Sequence, residues 1–495
     1  MNDQIDSSVP LLKHYEDVGQ RSRRVQTMLK VMEEVKQLLA IALPMILTGL
    51  MVYGKSMIST MFMGRLGRDA LAGGSLSIAV ANITGYSVIY GLATGMEAIS
   101  SQAYGANQLP IIGQTLRRTI LILLITAIPI SVFWLHVKPV LILCGQEPRV
   151  ADFAAIHLRA CIPTLLLKCF IHPLRIYSRT QHRTLPLMLS AAVALLIHTP
   201  INCILQFKLK LGITGIALAV GITDFNLVIV LVLAIRYSGA HRDSWGGWSL
   251  QCFKQWGPIL KLAVPSCVWV CLEWWWYELM IILAGLFPYR ATEAVGTMGV
   301  LVQATSLMYI FPSSLSMAVS TRVGNELGAN QPCKAKFSSL VALTCSVFTG
   351  IGAMIFMMTL RDVWGRAFTS DHTVVALTAL ALPVVGLCEL GNCPQTIACG
   401  VLKGSARPKL GAHINLGSFY GVGLPVVGML CFVMKVGFVG FWYGLLAAQI
   451  VCAILMIVTL VNTNWEAEGE RARELLGVEE YNQVPHQTWE VVVQP

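Results

Sequence analysis

Five carboxylates stand within long apolar stretches of the sequence: Glu97, Asp224, Glu273, Glu278 and Glu389. A charged side chain inside a membrane costs at least about 2.5–3.5 kcal/mol, so each of the five is a candidate functional group. A carboxyl that is shielded from water can take up and release a proton near neutral pH. Their positions therefore predict proton exchange or solute binding within a membrane.

Two of the five belong to the segment CLEWWWYELM at Cys271–Met280. Glu273 has Tyr277 one helical turn later on the same face, and the aromatic run around it would exclude water. We expect Glu273 to exchange protons between compartments of different pH, with Glu278 as a further candidate. The ring faces of Trp274 and Tyr277 can also hold an organic cation. The alternative is a glutamate paired permanently with a basic residue or with helix carbonyls.

Glu389 is followed on one helical face by Asn392 and Thr396, at i+3 and i+7. Pro394 removes a backbone donor and predicts a kink, which suits a helix that bends during transport. This makes Glu389 the second candidate proton carrier and places Asn392 in a substrate cavity. The same stripe could instead hydrogen-bond between helices, at about 0.6 kcal/mol a contact.

Lys55 is the only basic residue near the middle of the first apolar stretch. It lies too deep to reach the interface, so it should either pair with an acid or attract an anionic substrate. We expect Gln303 to share the substrate cavity with it. Asp224 and Glu97 lie closer to the ends of their stretches, which favours roles in packing, capping or gating.

The composition identifies the elements that must hold these residues. Of 495 residues, 55% are hydrophobic and 13% charged, against about 25% charged in a typical soluble protein. A soluble enzyme is therefore excluded. Apolar runs of about 20 residues predict an all-α integral membrane protein with about twelve transmembrane helices. They cover 38–62, 74–97, 119–137, 153–173, 185–206, 212–235, 259–286, 294–319, 338–360, 374–397, 411–434 and 437–461.

The net charge of +10 is distributed over short clusters between these runs, which argues against nucleic acid as a partner. The clusters are richer on one side of the predicted membrane; an example is Arg175, Arg179 and Arg183, expected in the loop after the fourth run. The positive-inside bias then predicts that both termini are cytosolic. The predicted organisation is a cytosolic tail (1–37), a first lobe (38–235), a cytosolic loop (236–258), a second lobe (259–461) and a cytosolic tail (462–495).

An internal repeat relates the two lobes. Pro44 heads the first run and Pro265 the seventh, and the tetrapeptide GANQ begins 61 residues after the former and 63 after the latter. The two copies are YGANQ at Tyr104–Gln108 and LGANQ at Leu327–Gln331. Because six runs separate the copies, the halves are parallel repeats, an arrangement typical of transporters. The alternative is a duplicated scaffold without transport.

One motif is rejected on its context. Gly49–Ser56 matches the phosphate-loop pattern GxxxxGK[ST], but it lies inside an apolar helix whose backbone N–H groups are already bonded. We therefore expect no ATP site, and any uphill transport must use an ion gradient. None of the 14 cysteines forms a CxxC pair, and we expect neither a metal site nor a cofactor.

Four further segments carry a family resemblance: MGRLG (Met63–Gly67), EAISSQAYGANQ (Glu97–Gln108), STRVGNELGANQ (Ser320–Gln331) and CGVLKGSARPKLGAHINL (Cys399–Leu416). The sequence resembles the multidrug and toxic compound extrusion family, in its plant DETOXIFICATION branch. The resemblance implies a V-shaped pair of six-helix lobes that work by alternating access. It also implies export of organic solutes in exchange for protons, or for sodium in some bacterial members.

The resemblance also carries residue roles. Glu273 matches the proton-coupling acid of eukaryotic members, and Glu278 matches a second acid seen in some. The acid that plant relatives have in the tenth helix falls on Asn392, with Glu389 one turn earlier as its substitute. The first-helix aspartate of bacterial relatives falls on Ser59, so coupling is expected in the second lobe.

We therefore expect an antiporter that exports xenobiotics, secondary metabolites or hormone-like molecules against protons. Its partners are a small organic solute, protons and the lipid bilayer. Two alternatives stay open: an uncoupled facilitator or channel for organic anions, and a membrane receptor or scaffold that does not transport. The sign of the substrate's charge is also open, as is the membrane, which is the plasma membrane or an endomembrane of vacuole, Golgi or endosome.

Overall fold

The computed structural model describes residues 9–239, 241–245, 247, 250–286, 291–369 and 371–477. Throughout these residues the regular elements are helices. Eleven of them are long and apolar enough to cross a membrane, and a bent pair makes a twelfth span. The predicted number and type of elements are confirmed.

The spans are numbered in chain order. They are α1 (Val9–Arg65), α2 (Asp69–Gly105), α3 (Leu109–Leu135), α4 (Pro148–Ala160 and Ile162–Thr180), α5 (Leu185–Lys208), α6 (Gly212–Tyr237), α7 (Gly257–Gly285), α8 (Ala291–Gly328), α9 (Pro332–Thr359), α10 (His372–Gly404), α11 (Pro408–Val433) and α12 (Gly440–Val461). A further helix, α13 (Trp465–Leu476), follows the last span.

Helix ends differ from the predicted ends where polar residues continue a helix inside the protein. α2 runs to Gly105 rather than to residue 97, and α4 runs to Thr180 rather than to residue 173. Arg175 and Arg179, expected in a loop, therefore lie in α4. Hydropathy misplaced these ends because it scores every charge as if it faced water.

The fourth span is bent by 46° between its two helices, at Cys161. Arg159, which interrupts the apolar run in the sequence, lies beside this break, and its Nε donates a hydrogen bond to the Leu135 carbonyl at 3.0 Å. The charge that interrupts the apolar run in the sequence therefore lies beside a break of the helix in the structure.

Each half of the chain has its own hydrophobic core. Part of the first helix of each half belongs to the other core: Leu38 and Ile41 of α1 lie in the core of the second half, and Ile259 and Ala263 of α7 lie in that of the first. Later residues return to their own half, as Met45 of α1 and Trp276 of α7 do. α1 and α7 are the equivalent helices of the two repeats, so each connects the halves.

The repeated GANQ segments end α2 and α8, and these two ends pack against each other. A Cβ atom on Gly105 would lie 1.9 Å from the Asn325 carbonyl oxygen, and one on Gly328 would lie 2.0 Å from the Gln102 carbonyl oxygen. Only glycine permits this approach of two backbones. The halves are closed against each other at this end, and the contact follows the internal repeat.

The asparagine of each GANQ segment also has a conformational role. Asn107 and Asn330 have φ angles of 56° and 58°. Asparagine adopts this left-handed conformation more readily than other residues with a Cβ, and it commonly ends helices there. The motif therefore combines a glycine for close packing with an asparagine that stops the helix.

Charged side chains surround the closed end. Arg322 of α8 donates to Glu34 of α1 through Nε at 3.1 Å and Nη2 at 3.0 Å, and it also pairs with Glu326 at 2.8 Å. The hydroxyl of Ser338 donates to the same Glu34 carboxylate at 2.7 Å. Because a bidentate guanidinium–carboxylate contact fixes both partners, it ties α1 to the second half.

The acidic composition of residues 462–495 predicts disorder apart from a short helix, and the structure shows that helix as α13. Its N-cap is Asn464, whose side chain accepts from the backbone N–H groups of Glu466 and Ala467. Arg407 forms an ion pair with Glu468 of α13, with Nη1 and Oε1 3.4 Å apart. The part of the tail for which disorder is predicted, residues 478–495, lies outside the described residues.

We expect His182 to make the closed end sensitive to pH. It lies in the turn after α4, with Nε2 2.6 Å from the Asn325 side-chain amide and its ring 5.6 Å from that of Tyr104. Burial lowers the pKa of His182, and the nearby Arg322 guanidinium lowers it further. When the end opens, the ring regains water and a pKa of about 6.5.

The open form therefore binds the proton more tightly. The neutral His182 ring stabilises the closed form fully above about pH 6.5. This stabilisation declines as the pH falls below that value, so acid favours opening. We expect the ratio of open to closed forms to rise by at most about tenfold per pH unit. Amide hydrogen exchange of 102–108 and 325–331, corrected for intrinsic rates, would measure this. Equal pH responses of wild type and His182→Gln would contradict it.

Candidate functional site

A cavity lies between the two halves, above the closed end, and both halves supply its walls. α2 contributes Tyr90 and Glu97, α7 contributes Glu273, and α8 and α10 contribute the rest. The lining from these last two helices is Tyr309, Ser313, Ser316, Met317, Thr396, Cys399 and Lys403. A site at the boundary of two repeats is where alternating-access transporters bind their solutes.

Glu273 reaches this cavity without an ion-pair partner. The hydroxyl of Tyr309 donates to its Oε1 at 2.9 Å, and no cation of the described chain lies within 4 Å of its oxygens. Lys403 shares the cavity and attracts the carboxylate from farther away. Its ammonium lies 5.4 Å from the ring centroid of Trp269. Within the described residues, no ion pair of Glu273 would be broken by a change in its charge.

Glu389 is connected to the same cavity by its helical face. Asn392 donates to the Glu389 carboxylate at 2.9 Å, and Thr396, which lines the cavity, donates to the Asn392 side-chain oxygen at 3.4 Å. Tyr277 lies close enough to both Glu273 and Glu389 to interact electrostatically. The structure therefore brings together Glu273, Glu389 and the stripe between them. α10 stays one helix through Pro394.

Three other candidates lie elsewhere. Glu278 faces Asn82 of α2, and Gln303 accepts a hydrogen bond from the Tyr53 hydroxyl at 3.4 Å where α8 meets α1. Neither contributes to the wall of the cavity. The ring of Trp274 stacks on Tyr90, a lining residue of the cavity, with centroids 5.8 Å apart. Their predicted roles in coupling and substrate binding stay predictions.

Glu97 follows a short break in α2 at Gly95 and lies in the first turn of the segment Met96–Gly105. It is buried eight residues before the end of α2 and pairs with Arg179 of α4, with Oε1 and Nη2 2.6 Å apart. Because Glu97 also lines the cavity, this ion pair connects the cavity wall to the first half. The expected position of Glu97 near a helix end agrees with this break, although the span itself continues to Gly105.

A second cavity lies within the first half, and it contains Lys55. The ammonium of Lys55 forms an ion pair with Asp224 of α6, and Lys168, His172 and Arg175 of α4 line the same space. Asp224 is buried near the middle of α6, not near its end as expected. The structure shows Lys55 with an acid partner, one of the two alternatives predicted for it.

Among the residues that line the two cavities, five that bear on their chemistry were not predicted from the sequence. Three of them, Lys168, His172 and Arg175, follow each other at i, i+4 and i+7 in α4 and therefore share one face. That spacing was a usable signal, but the predicted helix ended before Arg175. Tyr309 and Lys403 had no comparable signal, because only the packing of α8 against α7 and α10 brings them to Glu273.

The comparison with a family model decides the family. The model described as MatE matches this chain twice, at residues 44–204 and 265–428, once in each half. The chain belongs to the MATE family. This is a family of multi-pass membrane transporters that export small organic solutes, so the protein is a membrane exporter and not an enzyme. The predicted family and fold class are confirmed.

Individual relatives match this chain over most of their own length. Protein DETOXIFICATION 48 of Arabidopsis thaliana is 52% identical over 92% of this chain and 85% of its own. Multidrug and toxin extrusion protein 1 of Xenopus tropicalis is 35% identical, over 90% of this chain and 77% of its own. The crystal structure of the eukaryotic MATE transporter AtDTX14 superposes with a TM-score of 0.87, at 31% identity, and covers 90% of this chain and 99% of that one.

Proposed function

We propose that this MATE protein exports organic solutes in exchange for protons. The observation that carries the proposal is the position of Glu273. It lies in the cavity between the halves, hydrogen-bonded to a tyrosine hydroxyl and free of an ion pair within the described residues. A carboxyl in that position can change its charge without breaking a structural salt bridge.

In the proposed cycle, a proton from the acidic side neutralises Glu273. Neutralisation removes its attraction to Lys403 and weakens its charge-assisted hydrogen bond with Tyr309, so α7, α8 and α10 are free to repack. Repacking shifts the balance between the two access states and releases the solute. Glu389, reached through Asn392, provides a second position for a proton in the same half.

The rest of the proposal concerns orientation and energy source. The end with the GANQ segments and both termini face the cytosol, and the acidic side is the cell exterior or the lumen of a vacuole, Golgi or endosomal compartment. The driving force is the proton gradient, without ATP or a cofactor. In support, the string that mimics a phosphate loop is helical within α1, and its lysine, Lys55, is paired with Asp224.

Flux in proteoliposomes tests the proposal. The purified protein would be given a fluorescent organic cation and a fluorescent organic anion under an imposed pH gradient, an imposed sodium gradient, or neither. Uphill flux of either solute that requires the pH gradient is the expected result. A requirement for sodium would overturn proton coupling. Flux only down the solute's own gradient would indicate a facilitator, and binding without flux a receptor.

A further inference from the structure

The last helix of the described chain, α13, packs against both halves at the closed end. Half of its 12 residues are charged, in the sequence WEAEGERARELL, so it lies beside the hydrocarbon of the membrane and not within it. It contacts α8 and α9 of the second half and the last segment of α2, Met96–Gly105, of the first half. One short helix therefore crosses the boundary at which the two halves meet.

Most of α13 is attached to the second half. Trp465 is buried in the hydrophobic core of that half, and Glu468 forms its ion pair with Arg407, which lies between α10 and α11. A Cβ atom added to Gly469 would lie 3.9 Å from the side-chain oxygen of Asn330, in the second GANQ segment. The helix thus lies directly on one of the two segments whose contact closes this end.

The last turn of α13 reaches the first half. Leu475 and Leu476 are partly buried and pack against the hydrophobic core of the first half. Gly477 follows in the left-handed conformation, with a φ angle of 68°, and ends the helix at this point. Because burial of apolar side chains is favourable, the two leucines would lose stabilising contacts if the first half moved away.

We infer that α13 is a strap that holds the end with the GANQ segments closed, and that its last turn leaves the first half when this end opens. The ends of α2 and α8 separate on opening, and a short helix attached to the second half cannot follow both. Detachment adds a cost to the open form, so the strap lowers the population of that form without contacting the solute. The inference rests on the proposed function only in that solute enters through this end.

Hydrogen exchange of the full-length protein in detergent tests the strap apart from transport. Leu475→Ser/Leu476→Ser removes the apolar contact with the first half and leaves the attachment to the second half in place. We expect exchange at 102–108 and 325–331 to become at least about fivefold faster, with wild-type protection in 465–472. Glu474→Ser changes an exposed side chain in the same turn and serves as the matched control, with wild-type protection throughout.

A strap between two halves also has a thermodynamic signature. Trp465→Ala weakens the attachment to the second half, and release at either end of one connecting helix has the same consequence. The combination of Trp465→Ala with Leu475→Ser/Leu476→Ser should therefore speed exchange no more than the larger of the two separate effects. Effects that multiply would mean two independent packing contributions and would overturn the strap.

The remaining outcomes separate the strap from folding and from proton coupling. Faster exchange of Leu475→Ser/Leu476→Ser throughout α3 and α6 would mean that α13 serves the stability of the whole chain, and wild-type exchange at 102–108 would mean that it holds nothing closed; either result would overturn the strap. Flux of the wild-type protein that needs no pH gradient would defeat the proposed function alone, because the exchange rates are measured without a gradient.

Discussion

Glu273→Gln is expected to reduce proton-driven efflux to the level of protein-free liposomes, while the protein still inserts and folds. Glutamine has nearly the shape of glutamate, and its side-chain oxygen can still accept the hydrogen bond from Tyr309. It cannot change charge, so the cycle loses the step that couples proton movement to repacking. Exchange of solute down its own gradient should survive, because the neutral side chain resembles the protonated form.

The matched control lies on the same helix. Glu278→Gln makes the same substitution five residues later, at a carboxylate that faces Asn82 outside the cavity. We expect uphill flux of this variant within about twofold of wild type, in keeping with a change away from the site. Parallel losses in both variants would mean that any change of charge in α7 disables the protein. Unchanged uphill flux in Glu273→Gln would exclude Glu273 as the coupling residue.

Glu389 should be distinguishable from Glu273 in the same assay. It lies behind Thr396 and Asn392, and it is connected to the cavity only through their hydrogen bonds. If it is a second proton position, Glu389→Gln should lower uphill flux and shift its pH dependence without abolishing it. If its role is structural, flux and thermal stability should fall together with no shift in the pH profile.

The site residues in the second half of the chain could be predicted from the sequence, because they recur at helical spacing inside an apolar run. Glu389, Asn392 and Thr396 were placed on one face by counting alone, and the structure shows them hydrogen-bonded in that order. Glu273 was identified by the cost of burying charge. Both inferences needed only local geometry, which a helix fixes.

The site residues in the first half of the chain were harder to predict from the sequence, because their charges resemble those of loops exposed to water. Arg175 and Arg179 lie beyond the apolar run of α4, so hydropathy assigned them to water, whereas one lines a cavity and the other pairs with Glu97. The partnership of Lys55 with Asp224 spans 169 residues. Nothing local indicates which acid meets which base when helices from distant parts of the chain pack together.

The internal repeat predicted two equivalent halves, but it did not predict that the repeated segments contact each other. Matching GANQ segments indicated two equivalent halves, and the structure shows that the two segments are each other's packing partners. Their glycines are required by the contact between the segments. A substitution there should therefore act on the balance between access states more than on folding.

Gly105→Ala is expected to open the end at which α2 and α8 meet. The added Cβ would lie 1.9 Å from the Asn325 carbonyl oxygen, and since both atoms belong to backbone or are fixed to it, the helices must separate. Overpacking of this kind costs about 1–3 kcal/mol, which corresponds to about a 5- to 150-fold shift toward the open form. Gly328→Ala, in the other copy of the repeat, should have a similar effect.

Hydrogen exchange would measure the shift, with Gly352→Ala as the matched control. Gly352 is a helical glycine of α9 with no atom within 4 Å of an added Cβ, so that variant should retain wild-type protection in 102–108 and 325–331. Faster exchange confined to those segments in Gly105→Ala and Gly328→Ala is the expected outcome. Uphill efflux should fall in both variants, because a transporter that cannot close one end lets protons and solute equilibrate across it. Wild-type protection in both would mean that the glycines serve folding alone and that another contact closes this end.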